Sequence, residues 1–447
     1  MKTAITRRAA LAAAVVLAGT LAGCSGTPGS QTTTAAAIDV PEKWSGGDVT
    51  VTLWNDNPAM KGAVDLFNTQ HAGQGIKIDF APNTDLAKSV RNAHSAGNPP
   101  DLFATTTADL AGYIAEDIAT DLAPYFPSIE ADYGKATLDA VSLGNSKYGI
   151  PASDLPTFTL FNQEIFEQNG IAFPTTYEDF LEAGKKLKPK GISIFNVAGE
   201  DPTSFSYMAW EAGAKWWELK DDGWNVNIDS PETRRAAEYF DEAFANGLFS
   251  KISYAEYSAM MQEYNNNKIA ARQLSTWQTK GMQANLTTGL GKWLPKPNLA
   301  WEGKETTNAA FTRVFAVDSK SQHKDAAVYV AHWLSTNPDS VTALASPQTG
   351  LGWFPAVADP APYIQVSAPK ALLGDNISQW DPVVKKAVET RATNWTWGPD
   401  YAGAFAKLQD LWGKAVAGQI KTVDIAPQLQ AWVVDDMKKQ GYTVLNH

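Results

Sequence analysis

The sequence predicts an α/β protein whose sheets are mostly parallel. The chain has 447 residues, of which 44% are hydrophobic and 19% charged, a balance typical of globular chains with a sizeable core. At roughly 100–200 residues per domain, this length predicts two or three compact units. Segments of strand and helix character alternate along the chain, which is the pattern of βαβ units and favours parallel pairing.

The first α/β series lies near the beginning of the globular part. Alternating β-branched residues predict its strands, and apolar residues at helical spacing predict its helices, the first of which begins with a favourable Pro58. In chain order, the series is a strand at 48–54, a helix at 58–71, a strand at 76–80, a helix at 86–96 and a strand at 101–104.

A second series follows residue 157. One of its helices should begin with a capping box, in which Thr175 caps the helix and Glu178 bonds back to it. The predicted elements are strands at 157–162, 192–197, 268–274 and 312–317, and helices at 163–169, 175–187, 236–246 and 325–335, with three more helices between about 383 and 440.

The N-terminal segment is typical of a secretory signal peptide. Residues 1–23 carry Lys2, Arg7 and Arg8, no acidic residue, and an apolar run from 9 to 22. At 1.5 Å per residue this run spans about 21 Å, less than the ~30 Å hydrocarbon core of a bilayer. It therefore predicts a cleaved signal and not a permanent span. The Arg7-Arg8 pair leaves a twin-arginine export route open beside the general one.

The segment Leu21-Ala22-Gly23-Cys24 resembles the lipobox of bacterial lipoproteins. The resemblance implies cleavage before Cys24 and lipidation of that residue, which would hold the protein at the extracellular face of the bacterial cell membrane. An ordinary secreted protein with one chance cysteine is the alternative. Residues 24–45 are rich in Ser, Thr, Gly, Ala and Pro, and predict a flexible tether.

Charge and cysteine content exclude several classes of protein. Lys and Arg number 37 and Asp and Glu number 48, so the net charge is −11, and it becomes −14 once residues 1–23 are removed. This acidic balance argues against nucleic acid or an anionic membrane surface as a partner, so membrane contact is expected only through the lipid of Cys24. One cysteine and five scattered histidines predict no disulfide and no cysteine-rich zinc site. We expect no metal or other cofactor.

Motifs of covalent catalysis are missing from the sequence. It has no G-x-S-x-G, no H-E-x-x-H and no phosphate-binding loop, which favours a binding protein over an enzyme. A secreted hydrolase or lyase acting on carbohydrate remains an alternative, because a glycosidase needs only two suitably placed carboxylates among the 48 acids.

Several motifs, taken in order, resemble the extracellular solute-binding proteins of ABC importers, in the sugar-binding branch called family 1. The resemblance covers roughly Asp48 to the C-terminus. It rests on NPPDL at 98–102, YGIP at 148–151, LFNQEIF at 160–166, PTTYEDF at 174–180, the segment 264–271 followed by Trp277, the 320–334 segment and the GLGWFP loop at 350–355.

This resemblance implies two α/β lobes of the periplasmic-binding-protein kind, joined by a hinge, with a ligand in the central cleft. Lobe one is expected at 46–152 plus 312–366, and lobe two at 153–311 plus 367–447. The implied function is a monomeric receptor that closes around a carbohydrate, expected to be an oligosaccharide, and delivers it to the permease subunits of an ABC importer. A receptor for a peptide, polyamine or other non-sugar solute is the other alternative.

Candidate ligand contacts follow from the chemistry of sugars. Aromatic rings cover the flat C–H faces of a sugar, and carboxylate, amide and hydroxyl groups bond its hydroxyls. Trp277 follows a predicted strand at the stacking position of the family, and each candidate has core packing or a surface turn as its alternative. The candidates are Trp54, Asn55, Asp56, Asp101, Thr106, Asp154, Trp224, Trp277, Trp353, Trp395 and Trp397.

Overall fold

Strands and helices alternate as the periodicity of the sequence predicts. The computed structural model describes residues 36–220, 223–304, 311–393 and 395–445. The strands in these ranges are β1 (Val49–Asn55), β2 (Ile76–Pro82), β3 (Leu102–Thr106), β4 (Ser142–Leu143), β5 (Ser146–Lys147), β6 (Ile150–Asp154), β7 (Thr157–Asn162), β8 (Phe195–Asn196), β9 (Trp217–Lys220), β10 (Gly223–Val226), β11 (Phe249–Ser250), β12 (Ala271–Ser275), β13 (Trp293–Pro297) and β14 (Thr312–Val317).

The nine predicted helices are present, with most ends within a few residues, and the described ranges contain eight further helices that the sequence analysis does not predict. In the same ranges the helices are α1 (Lys61–Gln70), α2 (Leu86–Ala96), α3 (Thr107–Ala115), α4 (Phe126–Ile129), α5 (Lys135–Ala140), α6 (Gln163–Gln168), α7 (Tyr177–Leu187), α8 (Thr203–Glu211), α9 (Pro231–Ala245), α10 (Tyr257–Asn265), α11 (Thr279–Asn285), α12 (Lys324–Thr336), α13 (Pro338–Ala345), α14 (Lys370–Leu373), α15 (Trp380–Glu389), α16 (Tyr401–Val416) and α17 (Ile425–Lys439).

The first lobe is built on a five-stranded sheet with the order β2-β1-β3-β14-β6. β1 pairs in parallel with β2 and β3, whereas β14 is antiparallel to both β3 and β6. Helices α1 and α12 pack against this sheet, and Val51, Leu53 and Phe315 are fully buried in the core between them. The first α/β series thus forms the parallel part of the sheet, as predicted.

The second lobe departs from the prediction of a mostly parallel sheet. Its central strands β12, β7 and β13 are antiparallel. Parallel pairing occurs at its other side, between β8 and β11 and at the bridge of Ser193 with Ile269. β7 follows β6 almost directly out of the first lobe, and the chain then passes through several helices before it returns as β12 and again as β13, each antiparallel to β7.

The core clusters also modify the predicted division of the chain. One cluster surrounds the first sheet, and two others lie in the second lobe. Phe354 and Ile364 belong to a second-lobe cluster with Phe158 and Trp380, although residues 312–366 were expected in lobe one. We therefore propose that the chain leaves the first lobe near 353 and not at 366.

Helix α7 begins one residue later than the capping box predicted. The side chain of Thr176, not that of Thr175, caps it by accepting a bond from the backbone N–H of Asp179. The Thr175 carbonyl instead accepts the Ala300 N–H at 2.9 Å, which holds this stretch extended. Glu178 is consequently free to pair with Arg235 at 2.8 Å.

The end of the predicted tether lies against the first lobe. The N–H of Ile38 donates to the carbonyl of Pro124 at 2.8 Å, and that of Val40 donates to the Ser128 hydroxyl at 3.1 Å. The Trp44 ring lies 5.7 Å from that of Tyr329. We call residues 38–44 the strap. The predicted signal peptide 1–23 and Cys24 lie outside the described residues, and within those residues no helix has the length and apolar character needed to span a bilayer.

Candidate ligand-binding site

A cavity of about 490 Å³ opens on the second lobe beside the strands that connect the two lobes. Separate segments of the chain supply its walls, and five of the fourteen lining residues are aromatic. Its lining is Leu155, Thr157, Asp201, Thr203, Tyr207, Tyr254, Tyr257, Met260, Arg272, Ser275, Trp277, Gln278, Gly281 and Phe311. Leu155 and Phe311 adjoin the connecting strands β6 and β14, so the cavity lies at the junction of the lobes.

Trp277 presents its indole at the mouth of this cavity. All sixteen tryptophans lie in the described part of the chain, and only Trp277, at 51% exposure, is exposed. It sits in a short 3-10 turn, Thr276–Gln278, directly after β12. The Thr276 hydroxyl donates to the Gly352 carbonyl at 2.7 Å, and the Gln278 side chain accepts the Ser275 N–H at 2.9 Å. The backbone is therefore fixed while the ring remains available.

Three tyrosines supply hydroxyl groups and further aromatic surface. Burial raises the pKa of Tyr207 and of Tyr254 above the ordinary value. Both hydroxyls are therefore protonated at neutral pH and can act as hydrogen-bond donors as well as acceptors. Tyr257 begins helix α10 beside them.

Two charged side chains line the same cavity. Asp201 precedes α8, and its carboxylate accepts bonds from both the N–H and the hydroxyl of Thr203. Arg272 projects from β12, with its guanidinium carbon 5.9 Å from the centre of the Tyr257 ring and 5.8 Å from that of Tyr264. The cavity thus combines aromatic faces with one positively charged hydrogen-bond donor, Arg272, and one negatively charged acceptor, Asp201.

Several predicted first-lobe residues gather at one edge of the first sheet. Asn55 ends β1 and is fully buried, and Asp56 follows it at the surface. The Asp56 carboxylate pairs with Arg313 at 2.7 Å, and the Arg313 guanidinium lies 5.0 Å from the centre of the Trp353 ring. Arg313 is opposite Thr106 in the sheet, so the ends of β1 and β3 and the beginning of β14 share this edge.

The remaining residues of this edge have structural partners. The Thr106 hydroxyl caps α3 through the N–H of Asp109. Trp54 is partly buried against the first-lobe core, and Trp353 is buried in it. Among the first-lobe candidates, Asp56 is therefore the one whose side chain is exposed.

Asp154 lies at the junction but does not project freely into the cavity. It is 5% exposed, and its carboxylate accepts the Nε–H of Arg391 at 2.8 Å. A second donor of Arg391, Nη2, bonds the Thr312 hydroxyl at 3.0 Å. The residue that reaches the cavity is its neighbour, Leu155.

Asp101 lies at the opposite end of the sheet from the other candidates. It precedes β3, whereas ligands of such sheets bind beyond the carboxyl ends of the parallel strands. Its carboxylate accepts the N–H and hydroxyl of Thr52, each at 2.9 Å, and the Ser321 hydroxyl at 2.7 Å. These bonds give it a structural role, and we leave Asp101 out of the candidate site.

Three predicted tryptophans line a second, apolar cavity of about 330 Å³ between α3 of the first lobe and the second lobe. They are Trp224, Trp395 and Trp397. Trp395 stacks on Trp210 with ring centres 4.9 Å apart, and Trp397 stacks on Phe311 at 6.0 Å. Because Phe311 also lines the larger cavity, Trp397 lies behind its wall, and none of the three tryptophans lines the cavity beside Trp277.

Trp277 is the only residue of this lining among the candidates predicted from the sequence. Asp201, Tyr207, Tyr254 and Tyr257 lie between the predicted elements. Arg272 carried a readable signal, because it is the one charged residue of the strand Ala271–Ser275, and a charged side chain on a buried strand needs a partner or a function.

Comparisons with known proteins identify the family and the fold. The family model of the bacterial extracellular solute-binding proteins matches residues 53–339. A curated relative, the maltotriose-binding protein of Pyrococcus abyssi, is 22% identical over 292 residues, which are 64% of this chain and 60% of the relative. The alignment therefore spans less than two thirds of that relative.

Two solved structures are similar over nearly the whole chain. One is the galacto-N-biose-/lacto-N-biose I-binding protein of an ABC transporter from Bifidobacterium longum, with a TM-score of 0.77, 21% identity, and coverage of 90% of this chain and 100% of that one. The other is an ABC-transporter-associated binding protein from B. animalis subsp. lactis in complex with β-1,6-galactobiose, with a TM-score of 0.74, 20% identity, and coverage of 89% and 100%. They confirm the predicted two-lobed α/β fold.

Proposed function

Because this chain belongs to the bacterial extracellular solute-binding proteins, we propose that it captures a carbohydrate outside the cell and delivers it to the membrane subunits of an ABC importer. Like the other members of its family, the protein is a binding protein and not an enzyme. The alternative of a carbohydrate-active hydrolase or lyase is thereby set aside.

The observation that carries this proposal is the exposed indole of Trp277 at the mouth of the aromatic cavity. A tryptophan at 51% exposure leaves apolar surface in water unless something covers it. The C–H face of a sugar ring has the shape and polarity to do so. The names of the similar proteins, which bind maltotriose, lacto-N-biose or β-1,6-galactobiose, support the same class of ligand.

The charges of the cavity argue against a cationic ligand. A polyamine site would need several carboxylates among its aromatic residues. The described lining contains one acidic residue, Asp201, and one basic residue, Arg272. Hydroxyl-bearing ligands suit this mixture better, because the arginine can donate to their oxygens while the aspartate accepts from their hydroxyls.

Closure of the two lobes would complete the site. Asp56 and Arg313 lie at the first-lobe edge, while Trp277 and the tyrosines lie on the second lobe. A sugar that contacts both surfaces stabilises the form in which they are close, so binding shifts a pre-existing equilibrium between open and closed forms. The importer can then distinguish the loaded receptor by its shape.

We also propose that the receptor is attached to the membrane through Cys24. Lipidation of Cys24 would hold the receptor at the extracellular face of the membrane, and the intervening residues would let it reach the importer. We propose that it acts as a monomer, because a single cleft between two lobes needs no second copy to form.

Titration of the mature protein with oligosaccharides tests the proposal. The panel contains maltotriose, lacto-N-biose, β-1,6-galactobiose and diacetylchitobiose together with plant and microbial oligosaccharides, and heat of binding is measured. We expect at least one sugar to bind and to be recovered unchanged, and deletion of the gene to reduce its uptake by the cell. Binding of a peptide or polyamine, with no sugar bound, would overturn the proposal.

A further inference from the structure

Arg272 is the most unusual charged residue of the cavity. It belongs to β12, lines the cavity and is 9% exposed. The rings of Tyr257 and Tyr264 flank its guanidinium at 5.9 and 5.8 Å. Such rings attract the guanidinium cation and fix the orientation of its plane. They do not accept the hydrogen bonds that its N–H groups donate within that plane.

No protein group satisfies this side chain. In the described ranges, the side chain of Arg272 makes no hydrogen bond, and no carboxylate oxygen lies within the 4.0 Å of an ion pair. Its Nη1 is wholly buried without a partner. A buried charge without a partner is unfavourable, so a ligand is the natural source of the missing acceptor.

The shape of the guanidinium indicates which acceptor fits. Its planar fork bonds a carboxylate through two parallel N–H···O bonds, and these charge-assisted bonds are stronger than bonds to a neutral hydroxyl. One carboxylate would also neutralise the single positive charge. A hydroxyl group would satisfy a donor but leave that charge uncompensated.

Asp201 is the other charged group that faces this cavity. Its bonds to Thr203 occupy one carboxylate oxygen, and it stays outside ion-pair distance of Arg272. It therefore does not neutralise Arg272 directly. Its negative charge would repel a ligand carboxylate, so the two residues together would orient an acidic ligand with the carboxylate toward Arg272 and hydroxyls toward Asp201.

We propose that the carbohydrate taken up by this cavity is acidic, with the carboxylate of a uronic-acid residue bound by Arg272. This inference rests on the proposed function, because it specifies the class of carbohydrate that the receptor captures. The tyrosines hold the guanidinium, Trp277 covers a sugar face, and Arg272 selects the carboxylate over the hydroxymethyl group that a neutral sugar carries at the same carbon.

Matched pairs of oligosaccharides test the selection. The probes are α-1,4-trigalacturonate, β-1,4-trimannuronate and β-1,4-triglucuronate, each titrated beside its neutral counterpart of the same linkage and length. For the pair that binds best, we expect the uronate to bind about tenfold or more tightly than the neutral sugar, the size of one charge-assisted contact.

Variants assign the preference to Arg272. Arg272→Gln should reduce the uronate preference to within about threefold, and Arg272→Lys, which keeps the charge without the fork, should retain part of it. Lys280→Gln is the matched control, because this exposed lysine on α11 lies next to the Trp277 turn but not in the lining. It removes the same charge and should leave the preference unchanged. Melting curves establish whether each variant is folded.

The outcomes separate this inference from the proposed function. If neutral sugars bind as tightly as uronates, or no uronate binds, the acidic class is wrong while carbohydrate capture stands. If uronates are preferred but Arg272→Gln and Arg272→Lys leave the preference intact, the assignment to Arg272 is wrong. If no carbohydrate of either kind binds the folded protein, both proposals fail.

Discussion

The Nε atom of Arg391 lies 2.8 Å from an oxygen of Asp154, and this buried ion pair joins the C-terminal part of the second lobe to the strands that connect the lobes. The side chains are 4% and 7% exposed. Asp154 ends β6 and is paired in the sheet with Thr312 at the beginning of β14, whose hydroxyl accepts a second bond from Arg391. One arginine therefore ties together both connecting strands.

Loss of one member of this pair should destabilise the fold strongly. Asp154→Ala leaves Arg391 buried without its counter-ion, and we expect a loss of about 3–5 kcal/mol in the free energy of unfolding, measured by urea denaturation. Asp56→Ala breaks the more exposed pair with Arg313 and should cost less than about 1 kcal/mol. Equal losses in the two variants would show that the buried pair has no special role.

Trp277→Ala should lower affinity more than stability. The indole is half exposed, so its removal creates no cavity, but it removes the platform for a sugar face. We expect a dissociation constant raised by about 5- to 150-fold, which corresponds to about 1–3 kcal/mol, measured by titration with whichever oligosaccharide binds the parent protein.

A fully buried tryptophan provides the contrast. Trp380 is 0% exposed, and Trp380→Ala should cost about 3–5 kcal/mol of folding stability. A Trp277→Ala protein that melts as early as Trp380→Ala, yet binds sugar normally at low temperature, would place Trp277 in the core and remove it from the site.

Gly352→Ala should disturb the binding surface through the backbone. Gly352 has φ of +65°, and a Cβ there would lie 2.8 Å from the Cα of Trp277. Gly144 has φ of +61° with nothing within 4 Å of its Cβ position, so Gly144→Ala should show only the cost of the left-handed conformation, about 1–2 kcal/mol. Gly352→Ala should cost more and also weaken sugar binding. Identical effects in melting and titration would mean that the contact with Trp277 is unimportant.

Stability should depend on pH through Asp436. Burial, and then the neighbouring Asp400 carboxylate, raise the pKa of Asp436 above its ordinary value. The folded state therefore binds more protons than the unfolded state between the two pKa values, and stability falls as pH rises through that interval. Asp436→Asn should raise the free energy of unfolding at pH 7, by less than about 1 kcal/mol because water screens the repulsion, and should show no gain below the ordinary pKa of Asp. If Asp436→Asn stabilises the protein more at low pH than at pH 7, the predicted pH dependence is wrong. Asp435→Asn, which breaks a pair with Lys439, is the control and should give no gain.

Cys24→Ala should release the protein from the membrane without changing its fold. The residue precedes the strap and makes no predicted contribution to either core. Fractionation should move the protein from the membrane to the soluble fraction while its melting temperature stays the same. A variant that remains in the membrane fraction would contradict the lipoprotein assignment.

Local patterns sufficed for most elements, but not for their pairing. The 86–96 helix and the 157–162 strand have the predicted bounds because hydrophobic spacing and turn residues act over short distances. The direction of β12 relative to β7 could not be read in this way, since it depends on the route of the chain between the lobes. The exposed position of Trp277 agrees with its interpretation as a platform, although its contact with sugar stays a prediction.

The other candidates show what the sequence does not reveal. Trp395 and Trp397 line the smaller cavity and stack on residues distant in sequence, Trp210 and Phe311, and their contact with sugar stays a prediction. Asp101 begins a strand, and only the sheet reveals which end of the strand faces the ligand. Arg272 is conspicuous as an arginine within a strand, but the absence of a partner for its side chain is visible only in three dimensions.

The strap has a mechanical consequence. Ile38, Val40 and Trp44 attach the incoming chain to the first lobe and not to the second. If a lipid at Cys24 anchors the protein, the membrane attachment acts on the first lobe and holds that lobe in place. The second lobe, with Trp277 and Arg272, can then move during opening and closure without breaking the contacts of the strap.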